Sequence, residues 1–235
     1  MKNRCIWEHN GNDTLLLSET LIGAFTRGAS LDIALSKMAA EAASYLKWRG
    51  APAPEAFETE VIEEKASTLN IGDADSDVIF ASEKKPLTSS EYHQLKGLAL
   101  KSARDFEALY QAVPDKNKSC LPHRKTFYGQ APRTAKEMYE HTKNVNSYYF
   151  GEIGVSADNQ GDMAECRQRG FAALGKQPHF LDGAVHVGSY DEEWSLRKVI
   201  RRFLWHDRIH AKAMYRMALK TFGERAIPDI FFFDL

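Results

Sequence analysis

The sequence predicts an α+β protein: a small N-terminal α/β module of antiparallel strands plus one helix, followed by a four-helix bundle. Three observations predict it. Short β-prone runs broken by turn residues, with one helical stretch among them, fill residues 1–66. From residue 88 onward, apolar residues recur at helical spacing. Residues 67–87 between them sustain neither pattern. The expected domains are a module over 1–66, a connector over 67–87 and a bundle over 88–235.

In the module, Ile6, the Thr14–Leu17 run and Leu21–Phe25 are strand-like pieces. Asn10-Gly11-Asn12-Asp13 and Gly28 break them, the first with strong turn chemistry. Ser30 then caps a helix whose Leu31, Ala34, Leu35, Met38, Ala42, Tyr45 and Leu46 share one face. Gly50 follows its end, and Pro52 and Pro54 prevent continuation. Residues 57–64 read as a further strand, and Val78–Ala81 as one short strand inside the connector.

In the helical part, Thr88 and Glu91 form a capping box, in which a hydroxyl and a carboxylate satisfy free backbone N–H groups. Leu95, Leu98, Ala99, Ala103, Phe106 and Leu109 make the stripe that follows. A long loop over 114–132 leads to a second capping box, Thr134 with Glu137. A third helix begins near Asp162 and runs to about Leu174. Ser195 caps the last and longest helix, which Gly223 ends. Four helices with one amphipathic face each make a bundle.

Composition narrows the function classes. A hydrophobic fraction of 43% and a charged fraction of 27% exclude a disordered chain. A formal net charge of −1 offers no broad basic surface, so nucleic acid is not a favoured partner. Cys5, Cys120 and Cys166 are too scattered for a disulfide framework or a thiolate zinc site, which fits a reducing compartment. The N-terminus has no apolar signal region, and no stretch is apolar enough to span a bilayer, so no membrane association is expected. The reading is a cytoplasmic protein.

The chemistry gathers on two helices. His206 and His210 lie at i and i+4, adjacent on one face and close enough to bind one ion. Val199, Phe203, Ala213, Met214 and Met217 fall at the same phase, which turns both histidines inward. Arg201, Arg202, Arg208, Lys212 and Arg216 fall elsewhere and read as the solvated side. On the second helix the stripe is Ala135, Met138, His141, Val145 and Tyr148, so His141 also takes a core phase. A lone His-x-x-x-His recurs by chance, and a single core histidine is usually just hydrogen-bonded. Three inward imidazoles are different, because a shared divalent ion satisfies all of them at once if each is neutral. Three protein ligands leave a position open, as in catalytic rather than structural sites. The expected ligands are His141, His206 and His210.

These residues resemble a known family. The stretch Thr134–His141 looks like the second-helix signature of the DinB-like family, and Trp194–His210 is similar to its fourth helix. The likeness spans about 87–222 and fills all three ligand positions. It implies an up-down-down-up bundle holding zinc, nickel, iron or manganese, often as a homodimer. It also implies a low-molecular-weight thiol as cosubstrate in S-transfer or isomerisation. Residues 23–35, a strand, a glycine and a capped helix, resemble the HicB-like family, whose modules bind protein and are sometimes RNA-related.

Two functions stand side by side. In one, the metal binds a thiolate, which attacks a small-molecule electrophile, and Tyr148 or Tyr149 donates a hydrogen bond into the cavity. The enzyme is then a metal-dependent transferase, isomerase or hydrolase. In the other, a non-catalytic module binds protein or RNA and the bundle is scaffold. His123, His179 and His186 read as solvated loop residues, and the phase of His93 on the first helix leaves it facing either the site or solvent. The basic run Arg197, Lys198, Arg201 and Arg202 reads as a wet helix face. The tail from Ile227 is too apolar to stay free in water.

Overall fold

A computed structural model describes residues 1–73, 76–126 and 129–233. Positions 74–75 of the expected connector, 127–128 of the expected loop and 234–235 of the tail lie outside the described residues. The chain divides into two compact units: Met1–Ser82 with Phe231–Leu235, and Glu83–Ile230.

The first unit contains β1 (Lys2–Asn10), β2 (Asp13–Ser18), β3 (Phe25–Gly28), α1 (Leu31–Trp48) and β4 (Glu58–Ala66). Gly11, at φ +57, supplies the left-handed backbone that the β1–β2 turn requires. The sheet order is β3-β2-β1-β4, with β1–β2 and β2–β3 antiparallel. β4 lies parallel to β1, so the expected antiparallel module is corrected to a mixed sheet. The reason is α1: a helical crossover brings the chain back to start a strand in the same sense as β1. Ser30 caps that helix by accepting the Ile33 N–H. Ala34 and Met38 on α1 meet Cys5 and Leu16 of the sheet in a core that Trp7, Leu35 and Val61 flank.

The connector is not free. The buried Glu8 carboxylate accepts the Ser76 hydroxyl and the Asp77 N–H, and Ala81 N–H donates to Glu63. Val78 and Phe80 are buried, yet no strand forms there, and Ala81–Lys84 is a 3₁₀ turn. The tail also returns to this unit, where Phe231 stacks on Trp48 at 5.6 Å.

The second unit holds α2 (Ser89–Ala112), α3 (Ala135–Gly151), α4 (Met163–Leu174) and α5 (Leu196–Phe222). Capping boxes at Thr88/Glu91, Thr134/Glu137 and Asp162/Glu165 start the first three, each cap contributing about 1 kcal/mol. Phe150, Phe171 and Phe203 meet in its interior, with ring centres 5.2–6.3 Å apart. A Cβ on Gly170 would overlap the Phe150 ring, so α4 approaches α3 only because that position is glycine. The layout therefore differs from the expected module plus four-helix bundle: among the described residues there are five α helices and a mixed four-stranded sheet, and the tail from Phe231 belongs to the first unit.

α5 also departs from expectation. Lys198, Arg201 and Arg208 are almost wholly buried, not solvated. Arg201 clasps Glu83 at 2.6 and 3.1 Å, and Lys198 Nζ sits 2.8 Å from Glu192. Arg197 donates to Pro86 O at 2.7 Å. The basic run is thus an inner ladder of ion pairs and backbone contacts. Among the described residues no helix is long and apolar enough to cross a membrane.

Candidate metal centre

α3 and α5 pack side by side and carry the three histidines. The buried line on α3 is Ala135, Met138, Tyr139, Thr142, Asn146, Tyr149 and Phe150. His141, Val145 and Tyr148 run along its margin, His141 and Tyr148 exposed and Val145 half-buried. The core phase expected for His141 is therefore corrected to the rim of the stripe. On α5, His206 is buried and His210 half-buried. The cluster spans the seam from interior to surface, with His141 as its solvent edge.

One ligand atom from each of His141, His206 and His210 can be chosen so that all lie within 4.8 Å of one another. His141 Nε2 and His206 Nε2 are 3.2 Å apart. Ring centres are separated by 5.0 Å for His141–His206, 4.6 Å for His141–His210 and 4.5 Å for His206–His210. Two nitrogens on one tetrahedral zinc, each about 2.0–2.1 Å from it, stand about 3.4 Å apart. The 3.2 Å pair fits that spacing. A single hydrogen bond would explain the same pair but leaves His210 unaccounted for. His206 Nδ1 is buried and meets no hydrogen-bond partner among the described residues.

Electrostatics favour the neutral, ligating form. Burial lowers the pKa of His141 even though the ring keeps one edge in water. Burial and the neighbouring His141 push His210 down to about 3. His206 falls well below its ordinary value, through burial first and then His210, His141, Arg202 and Arg167. Each imidazole thus offers a lone pair at neutral pH. No carboxylate joins the group among the described residues.

The two tyrosines take different roles. Tyr149 is buried, its ring edge-on to His206 at 6.1 Å and its hydroxyl hydrogen-bonded to Arg202. Tyr148 is 37% exposed and holds its phenol proton firmly, through burial of the hydroxyl and the nearby Glu152 and Glu192. Only Tyr148 is placed to meet a molecule arriving from solvent.

The remaining histidines stay outside the cluster. His93 bonds Ser89 on its own helix, His179 pairs with Asp182, and His123 and His186 are exposed. Asp207 faces away from its neighbour His206 and binds Arg167 through both oxygens, at 2.6 and 3.0 Å. Glu140 pairs with Lys143 at the surface.

No protein-family model, no curated protein and no solved structure matches this chain. The DinB-like and HicB-like resemblances rest on the residues that carry them.

Arg202 escapes the sequence reading, which assigns it to the solvated side. One signal points to it: it lies one turn before His206, where side chains of one helix meet.

Proposed function

We propose that this chain binds one divalent metal through His141, His206 and His210 and uses it on a small molecule at a solvent-facing position. The observation that carries the reading is the convergence of three neutral imidazoles at a helix seam, with no carboxylate in the group among the described residues. Imidazole suits zinc, nickel and iron alike, and the arrangement does not choose among them. When bound, the ion supplies Lewis acidity, which lowers the pKa of a water or thiol held beside it.

The protein's own part is positional. α5 fixes two ligands one turn apart, and α3 brings the third to the rim, where a substrate has access. Tyr148 keeps its proton and serves as a hydrogen-bond donor at the mouth. Tyr149 stays in the wall, against His206. The DinB-like spacing of Trp194, His206 and His210 supports a low-molecular-weight thiol as cosubstrate, with transfer of sulfur to an electrophile or isomerisation as the reaction.

The test is elemental analysis of untagged protein never exposed to a metal column, beside the His206→Ala/His210→Ala variant. About one equivalent of metal in the parent and none in the folded variant supports the reading, and thiol-transfer assays follow. No metal in either, after zinc, nickel and iron are each supplied, overturns it and leaves the cluster a hydrogen-bonded pair with a third ring beside it.

A further inference from the structure

On α3 and its C-cap, His141, Val145, Tyr148 and Glu152 succeed one another by four, three and four residues, so they form one line along the helix. At 1.5 Å of rise per residue the line runs about 10 Å from His141 to Tyr148 and about 16 Å to Glu152. It starts at the solvent edge of the histidine cluster and stays open to water through a half-buried Val145 and a Tyr148 that is 37% exposed. At its far end a short hairpin, His186–Val187 against Glu193–Trp194, is fixed to the helix. The Glu152 carboxylate accepts the Ser189 N–H at 2.6 Å and the Ser189 hydroxyl at 2.7 Å. A Cβ on Gly188 would overlap that carboxylate and the Trp194 ring, so this close fit requires glycine. Trp194 in turn meets the Tyr148 ring edge-on at 5.9 Å.

Among the described residues of the second unit, four large apolar side chains stand exposed: Tyr148, Val185, Val187 and Tyr190. Apolar residues scattered singly over a surface need no explanation. These four are not scattered: all belong to the α3 line or to the segment clamped at its end, with Val187 73% and Tyr190 81% exposed. The two carboxylates that act on the Tyr148 hydroxyl are already engaged, Glu152 by Ser189 and Glu192 by Lys198. Beyond the histidines, the line therefore offers an incoming molecule apolar surface.

We propose that the line from His141 through Val145 and Tyr148 to the clamped hairpin is a binding track for an elongated ligand, with a metal-binding head at the histidines and an apolar body roughly 10 Å long. The inference rests on the metal reading and deepens it by naming the class of substrate. A body of that length reaches Tyr148 and the hairpin, whereas a head alone reaches neither. Val145, Val187 and Tyr190 are then specificity-determining residues, which select for the body and leave the head to the ion.

The test uses the full chain loaded with cobalt(II), whose visible spectrum reports only molecules that ligate the ion. Acetohydroxamate is the head alone, and octanohydroxamate is the same head on a chain long enough to pass Tyr148. A methylene fully removed from water favours binding about fourfold, so octanohydroxamate, with its added chain partly covered, is expected to bind the parent at least about tenfold tighter. The Val187→Asn/Tyr190→Asn variant changes exposed positions only, and asparagine tolerates the left-handed backbone of residue 190, at φ +61. It is expected to weaken octanohydroxamate about fivefold and acetohydroxamate less than about twofold. Equal affinity of the two probes for the parent overturns the proposal, and that comparison needs no variant to fold. An octanohydroxamate advantage that survives whole in the double variant overturns it too. Cobalt that fails to bind the parent sinks the metal reading along with this one. Cobalt that binds and takes both probes equally sinks this one alone.

Discussion

His206 and Asp207 are neighbours in the chain and opposites in the structure. Asp207 turns into a pair that closes on itself: both its oxygens meet Arg167, which donates further to Ala99 O at 3.1 Å and lies 4.2 Å from the Phe203 ring. His206 turns toward two other imidazoles, and its Nδ1 meets no partner among the described residues. Both groups are buried and polar. One has its needs met by the protein and can only be structure. The other turns its Nε2 toward His141 Nε2 at 3.2 Å with His210 beside them, a convergence that stays open on the protein's own groups. The difference teaches that burial alone does not mark a site; an arrangement of donors that converges without closing does.

Four measurements break or sharpen this contrast. The largest effect belongs to the closed pair. Asp207→Ala leaves a buried guanidinium without its carboxylate and is expected to cost about 3–5 kcal/mol in urea unfolding. The loss should be the same with or without added metal, and a loss under about 1 kcal/mol would show that the pair is dispensable. Next comes the open group. Zinc at 100 times its dissociation constant should stabilise the parent by about 2.7 kcal/mol and the His206→Ala/His210→Ala variant not at all. Equal stabilisation of both would place zinc elsewhere.

A smaller effect is the response of the metal-free protein to acid. The histidine pKa values are lowered on folding, so the unfolded chain binds more protons. Stability is complete above the ordinary imidazole value of about 6.5 and falls as the pH drops from there toward the folded values. The slope approaches about 1.4 kcal/mol per pH unit for each buried imidazole. The double-alanine variant should show a flatter curve over the same window, and an equal slope would remove the histidines as its cause. The smallest effect is Tyr149→Phe. It deletes the hydroxyl that meets Arg202 and is expected to cost about 1 kcal/mol while metal content stays unchanged.

Much of the second unit is legible in the sequence because its signals are local. The hydroxyl–carboxylate spacing at Thr88/Glu91 and Thr134/Glu137 announces helix starts that the structure places there. The three histidines are found the same way, from spacing. The failures share one cause: periodicity sees the apolar face and assumes that every other face meets water. On α5, Arg201 and Arg208 break that assumption, and Arg201 does so because Glu83, more than a hundred residues earlier, covers it with opposite charge. On α3, the margin of the stripe looks like its centre, so His141 reads as core when it is rim. The parallel pairing of β4 with β1 is equally hidden, because strand direction is set by the path of α1 and not by any residue in β4.

The return of Phe231 to Trp48 has a consequence in time. Residues 83–230 separate the first unit's main segment from the ring that stacks on it. At about 5–20 residues per second, a ribosome needs roughly 7–30 s to make that stretch. For that interval the nascent sheet and α1 wait without the Phe231 ring that stacks on Trp48, which has Tyr45 of its own helix beside it at 5.2 Å. A chaperone that grips exposed aromatics has its clearest opportunity there, and it loses that opportunity when synthesis delivers Phe231.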